Sequence, residues 1–248
     1  MRLAPLAALT IGLLSWPGAT AQQDPISASS SSTPTKYGML LFRGFELLDV
    51  FGPLEALSLV AHRIDTIALY LLSETLDPVT TQPQTASMNP FNSSFAPTIN
   101  PTHTLDSAPD IDVLIVPGGL GTRSPNLSRT LEYIKSTYPN LQYLLTICTG
   151  STLVAQTGIL DGRRATTNKA SWDSVIGNGP NVNWVPKARW VVDGNIWTSS
   201  GISAGMDATL AFIAEVYGHE NATLVSNLME YEWHEDSEWD PFSDVWGV

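Results

Sequence analysis

Cysteine is almost missing from this chain: 248 residues contain one, Cys148. A single thiol excludes an intramolecular disulfide, so packing has to stabilise the fold. Histidine is nearly as scarce. His62, His103, His219 and His234 stand apart from any motif, and no Cys/His cluster has metal-ligand spacing. Basic residues are few, 12 Lys and Arg against 24 Asp and Glu, for a formal net charge of −12. That balance excludes a nucleic-acid backbone or an anionic membrane surface as a natural partner. No apolar run reaches the ~20 residues of a membrane span. Internal repeats and heptad arrays are also absent.

What is present at the N-terminus reads as an export signal, residues 1–21. Arg2 gives a positive start, residues 3–14 are mostly apolar, and Ala19-Thr20-Ala21 has the form of a cleavage site. Residues 22–36, rich in Ser, Thr, Gln and Pro, form a flexible leader with too little apolar content for a core. Asn-x-Ser/Thr triplets at Asn92, Asn126 and Asn221 agree with a secreted, glycosylated protein. About 210 residues remain, enough for one core. The domain is placed at 37–235, with an acidic, aromatic tail at 236–248.

Short apolar runs at 37–42, 67–72, 111–116 and 141–147 predict buried strands. Helical spacing predicts helices at 46–60, 127–138, 152–158, 202–217 and 222–233, and Pro53 suggests that 49–52 is a turn before the first regular helix. Asp193-Gly194 between 188–192 and 195–199 signals a hairpin. Strands alternating with helices indicate an α/β domain with a mostly parallel sheet, whose ligands bind beyond the C-terminal strand ends.

Two turns lie at such ends. Val116-Pro117-Gly118-Gly119-Leu120-Gly121 exposes backbone N–H groups to close approach. Ile147-Cys148-Thr149-Gly150 places the thiol where a strand breaks into a helix, a position that favours thiolate. Cys148 reads either as a nucleophile or as a buried small hydrophobe. A nucleophile needs oxyanion donors, here the N–H groups of Thr149 and of Gly119 or Leu120, and a proton carrier. Asp49 sits in the apolar frame Leu47-Leu48-Asp49-Val50-Phe51-Gly52-Pro53, where a charge is expensive. It is either that carrier or a helix cap. Glu55 is the alternate acid/base, or an ordinary partly exposed side chain.

Together, Asp49-Val50-Phe51-Gly52-Pro53-Leu54-Glu55, Val116-Pro117-Gly118-Gly119, Ile147-Cys148-Thr149-Gly150, Gly162-Arg163-Arg164-Ala165-Thr166-Thr167 and Thr198-Ser199-Ser200-Gly201-Ile202-Ser203-Ala204-Gly205-Met206-Asp207 resemble, in order, the motifs of the ThiJ/PfpI superfamily. The resemblance runs from about residue 37 to 217. It implies a flavodoxin-like three-layer α/β sandwich with a nucleophile elbow at Cys148, and a homodimer. Within the superfamily the pattern looks most like isocyanide (isonitrile) hydratases, which implies hydration of a small-molecule isocyanide to an N-substituted formamide without a metal or organic cofactor. Cys148 would be the nucleophile, Asp49 the proton carrier and Thr149 a donor to the intermediate. Gly118, Gly119, Leu120 and Gly150 would complete the substrate and oxyanion site. Relatives usually continue Ala-Thr-Thr-His where this chain has Ala165-Thr166-Thr167-Asn168, so the expected imidazole is missing. Another Cys-dependent reaction on a secondary metabolite, or a secreted binding or redox-responsive role, are the rival readings.

Overall fold

The computed structural model describes residues 32–248; the export signal and the leader up to residue 31 lie outside the described residues. In chain order the strands are β1 (Lys36–Leu40), β2 (Ala68–Ser73), the short pair β3 (Val79–Thr80) and β4 (Thr98–Ile99), β5 (His103–Thr104), β6 (Val113–Val116), β7 (Tyr143–Thr146), a second short pair β8 (Arg164–Ala165) and β9 (Asn183–Trp184), then β10 (Trp190–Asp193) and β11 (Ile196–Ser199). The helices are α1 (Leu47–Arg63), α2 (Ser128–Thr137), α3 (Gly150–Gln156), α4 (Trp172–Ile176), α5 (Ala204–Tyr217), α6 (His219–Leu228) and α7 (Phe242–Trp246).

Seven strands form the central sheet in the order β10-β11-β7-β6-β1-β2-β5. Every neighbouring pair is parallel except the β10–β11 hairpin. β6 is buried along its whole length, as a central parallel strand covered on both faces must be. Helices α1, α5 and α6 pack on one another, and α2, α3 and α4 follow in succession, flanking the sheet. This is the flavodoxin-like α/β arrangement expected from the sequence.

The register positions the site. Val116 pairs with Thr146, and Thr198 with the same Thr146, so β6, β7 and β11 end side by side. The loops leaving them carry Gly118, Cys148 and Ser200 to one edge. β1 lies on the other side of β6 and leads into α1, which delivers Asp49 to that same edge.

Several local expectations change. Residues 49–52 are helical, and Pro53 lies inside α1. Its missing N–H deprives the Asp49 carbonyl of a partner one turn back. His103 belongs to the short edge strand β5. The last predicted long helix stops at Leu228, followed by Glu230 at φ +48°, and the chain then runs across its own domain.

The tail is tied down by buried charge. Asp207, fully buried, receives Arg189 Nε at 2.6 Å, Tyr231 Oη at 3.0 Å and the His234 backbone N–H at 3.0 Å. Further on, Lys169 Nζ pairs with Asp240 at 3.3 Å with both side chains essentially inaccessible. The same ammonium donates to Thr166 Oγ1 and to the Ala188 and Thr167 carbonyls. Removing one partner of such a pair costs about 3–5 kcal/mol, so the segment is a fixed part of the fold.

Candidate active site

Cys148 occupies the turn between β7 and α3 at φ +56°, a left-handed conformation that costs a non-glycine residue roughly 1–3 kcal/mol. Its backbone N–H donates to the Ser200 carbonyl at 3.2 Å, which ties the turn to the end of β11. Helix α3 begins at Gly150, with Thr149 in the cap position. The thiol therefore sits just before the helix, with its backbone turned so that the Thr149 N–H faces the sulfur.

Asp49 is completely buried in the first turn of α1, and it does not act as a helix cap. Its Oδ2 accepts the Gly118 N–H at 2.9 Å, while Oδ1 has no hydrogen-bond partner among the described residues. Burial pushes the carboxyl up to about 8. The Gly118 N–H pulls it back, the charge of Glu46 adds to the rise, and the neighbouring Cys148 thiol offsets it further. This group is thus largely protonated at neutral pH, as a carboxyl in an apolar enclosure should be.

The sulfur is also buried, with Cys148 4% exposed. Desolvation pushes the thiol up to about 12, and the Asp49 charge adds to it. Three donors work in the opposite direction: the N–H groups of Ile202 and Thr149 and the Asn168 amide. Asn168 Nδ2 lies 3.2 Å from Sγ. Its Oδ1 accepts the Ser171 N–H at 3.0 Å, which fixes the amide so that its NH2 faces the sulfur. The residue standing in place of the expected histidine is therefore a hydrogen-bond donor to the thiol. It can stabilise negative charge there but cannot act as a base.

The glycine loop differs in detail from expectation. The Gly118 N–H is taken by Asp49, and the Gly119 N–H donates to Thr149 Oγ1 at 2.9 Å. The Thr149 hydroxyl also meets Thr122 Oγ1 and the Gly119 carbonyl. Gly119 and the Thr149 hydroxyl therefore hold the two loops together and are not free to bind an intermediate. Leu120 follows in the partly buried loop. A Cβ at Gly118 would fall 2.6 Å from the Thr149 nitrogen and 2.9 Å from Asp49 Oδ2, so only glycine fits. At Gly150 a Cβ would meet the Val116 carbonyl at 2.3 Å, which makes this residue a packing contact between turns.

Glu55 is exposed on α1, away from the buried Asp49, so the structure does not bring it to the thiol. Of the donors at the sulfur, Ile202 had no signal of its own in the sequence, although it belongs to the Thr198–Asp207 motif. No group of three or more His, Cys, Asp or Glu suited to a metal ion occurs among the described residues. Nor is any helix among them long and apolar enough to cross a membrane. The sequon side chains Asn92 and Asn126 are exposed, whereas Asn221 Nδ2 donates to the Tyr217 carbonyl at 2.7 Å.

With a carboxyl, a thiol and three donors converging, the arrangement can form a covalent bond at sulfur and move a proton beside it. Comparison with known proteins gives this constellation a family context. The model of the DJ-1/PfpI family matches residues 36–215. An isonitrile hydratase of Pseudomonas putida is 34% identical over 197 residues, covering 78% of this chain and 77% of that protein. The HTH-type transcriptional regulator GbdR of Pseudomonas aeruginosa is 29% identical over 134 residues, covering 54% of this chain and 36% of the regulator. Among solved structures, a THiJ/PfpI family protein from Pseudomonas syringae superposes with a TM-score of 0.68 at 26% identity, covering 88% of this chain and 84% of that one.

Proposed function

The chain belongs to the DJ-1/PfpI family, and on that premise we propose that it is a cysteine-dependent lyase that hydrates an isocyanide to an N-substituted formamide. The observation that carries this reading is the buried Asp49 carboxyl beside the Cys148 thiol, with one oxygen held by Gly118 and the other unpartnered. The similarity to an isonitrile hydratase over most of both chains supports the substrate class. The match to the regulator covers only 36% of that protein, and the net charge of −12 opposes a DNA-binding role.

The reaction adds water to R–N≡C. The reactive form is the Asp49–Cys148 pair carrying one negative charge, shared by proton transfer between carboxyl and sulfur. Sulfur attacks the terminal carbon, and Asp49 passes the thiol proton to that carbon, giving R–N=CH–S–Cys148. Asp49, again ionised, takes a proton from water as the hydroxyl adds to the carbon, and delivers it to nitrogen. The adduct R–NH–CH(OH)–S–Cys148 then collapses. The C–S bond breaks, the hydroxyl proton returns to the pair, and R–NH–CHO leaves. The Thr149 and Ile202 N–H groups and the Asn168 amide stabilise charge on sulfur whenever it is a leaving group or nucleophile. A raised carboxyl suits both proton steps near neutral pH.

The export signal and the exposed sequons belong to the same proposal, which has the enzyme act outside the cell. Incubating purified protein with small isocyanides and following formamide by NMR tests the chemistry. Unchanged formamide production by a Cys148→Ala variant would overturn it.

A further inference from the structure

An apolar cavity of about 230 Å³ lies against the site, lined by Asn168, Gly201, Ile202, Ser203, Phe242 and Trp246. Two of these residues also touch the sulfur: Asn168 through its amide and Ile202 through its N–H. A carbon bound to Sγ between those donors has this cavity as its neighbouring space. Its outer wall is α7, outside the span matched by the family model.

That wall is held rigidly. Asp240, two residues before α7, is buried in its ion pair with Lys169, and Ser243 is buried in the helix itself. Phe242 and Trp246, four apart on one helix face, are about half exposed. Lys169 lines the cavity as well, but its ammonium is occupied by Asp240, Thr166 and two carbonyls. No free charge faces the space, so an ionic substituent would enter it unpaired. A cavity of roughly 150 Å³ already admits benzene, while drug-sized ligands need roughly 300 Å³ or more.

We infer that Phe242 and Trp246, on the helix anchored by the Lys169–Asp240 pair, form the subsite for a compact apolar substituent of the substrate, of the size of a phenyl ring. The substrate class rests on the hydratase reading; the subsite rests on the geometry of the cavity.

Two measurements separate these. Calorimetric titration of N-phenylformamide and N-methylformamide into the full chain reads the subsite without turnover. The phenyl compound should bind at least about tenfold more tightly, and Trp246→Ala and Phe242→Ala should each remove most of that preference, with Trp246→Phe restoring part of it. In parallel, kcat/KM for phenyl isocyanide should fall at least about tenfold in the alanine variants, while that for methyl isocyanide stays within about twofold. Equal binding of the two formamides, or a preference untouched by both alanine variants, overturns the subsite. Variant-sensitive phenyl binding without hydration of any isocyanide leaves the subsite standing and overturns the hydratase reading alone.

Discussion

Replacing Asp49 by Asn should stabilise the folded chain by an amount that grows with pH. Burial raises this carboxyl from its ordinary value of 3.8 to about 8. Between those values the folded chain retains a proton that the unfolded chain releases. Its contribution is therefore most favourable below 3.8 and is lost as pH rises toward 8. From pH 5 to pH 7 the unfolded carboxyl gains about 3 kcal/mol from ionisation, at about 1.4 kcal/mol per pH unit, and the folded one gains almost nothing. An amide has no such term, and its oxygen can still accept the Gly118 N–H. Urea unfolding of wild type and Asp49→Asn at pH 5, 6 and 7 measures the difference, in which the titration of unrelated groups cancels. The variant's advantage should widen by about 3 kcal/mol across that range. A difference that stays constant within about 1 kcal/mol, or that narrows as pH rises, would refute the assignment of a neutral, desolvated Asp49.

The same ionisation should shape turnover. If the singly charged pair is the reactive form, kcat/KM rises about tenfold per pH unit below 7 and levels above about 8, where Asp49 has lost its proton; a flat profile from pH 5 to 8 would contradict this. Asn168→Ala removes one donor from the sulfur, so iodoacetamide labelling at a fixed alkaline pH should slow, the thiol having moved further up; faster labelling would mean that the amide shields the sulfur without polarising it. Gly118→Ala pushes a methyl group against the Thr149 nitrogen and Asp49 Oδ2. It should reduce kcat by about a hundredfold or more through misplaced loops, and retention of wild-type kcat would show that the loops absorb the displacement. For export, N-terminal sequencing of protein recovered from the medium should begin at Gln22, and protein retained in the cell with Met1 intact would contradict it.

The layered α/β plan was legible because buried parallel strands such as Val113–Val116 are continuous apolar runs, and glycine-rich turns mark their ends. Asp49 could be singled out because one carboxylate stood in seven residues otherwise without charge. The partners of particular N–H groups were not legible. Nothing in Pro117-Gly118-Gly119 states that Gly118 serves Asp49 while Gly119 serves the Thr149 hydroxyl, since this depends on how two loops meet in space. Helix spacing suggested that 49–52 would be a turn, because proline is expected early in a helix; packing of α1 onto α5, close enough for Gly52 to face Met206, kept the turn helical. The acidic tail is where composition says least. Its residues leave its packing open, and Asp240 is among the least accessible residues because Lys169, distant in sequence, is there to receive it.

Cys148 at φ +56° has a further consequence. A glycine there would relieve the backbone, just as an amide at position 49 would relieve the buried carboxyl. The two residues at the centre of the site are thus ones that the fold alone would exchange for something easier to accommodate. In a lineage released from the need for chemistry, random substitution would find both exchanges readily, and each would be rewarded with a sturdier protein. The fold therefore holds this thiol and this carboxyl side by side at a cost in stability that its own packing does not require.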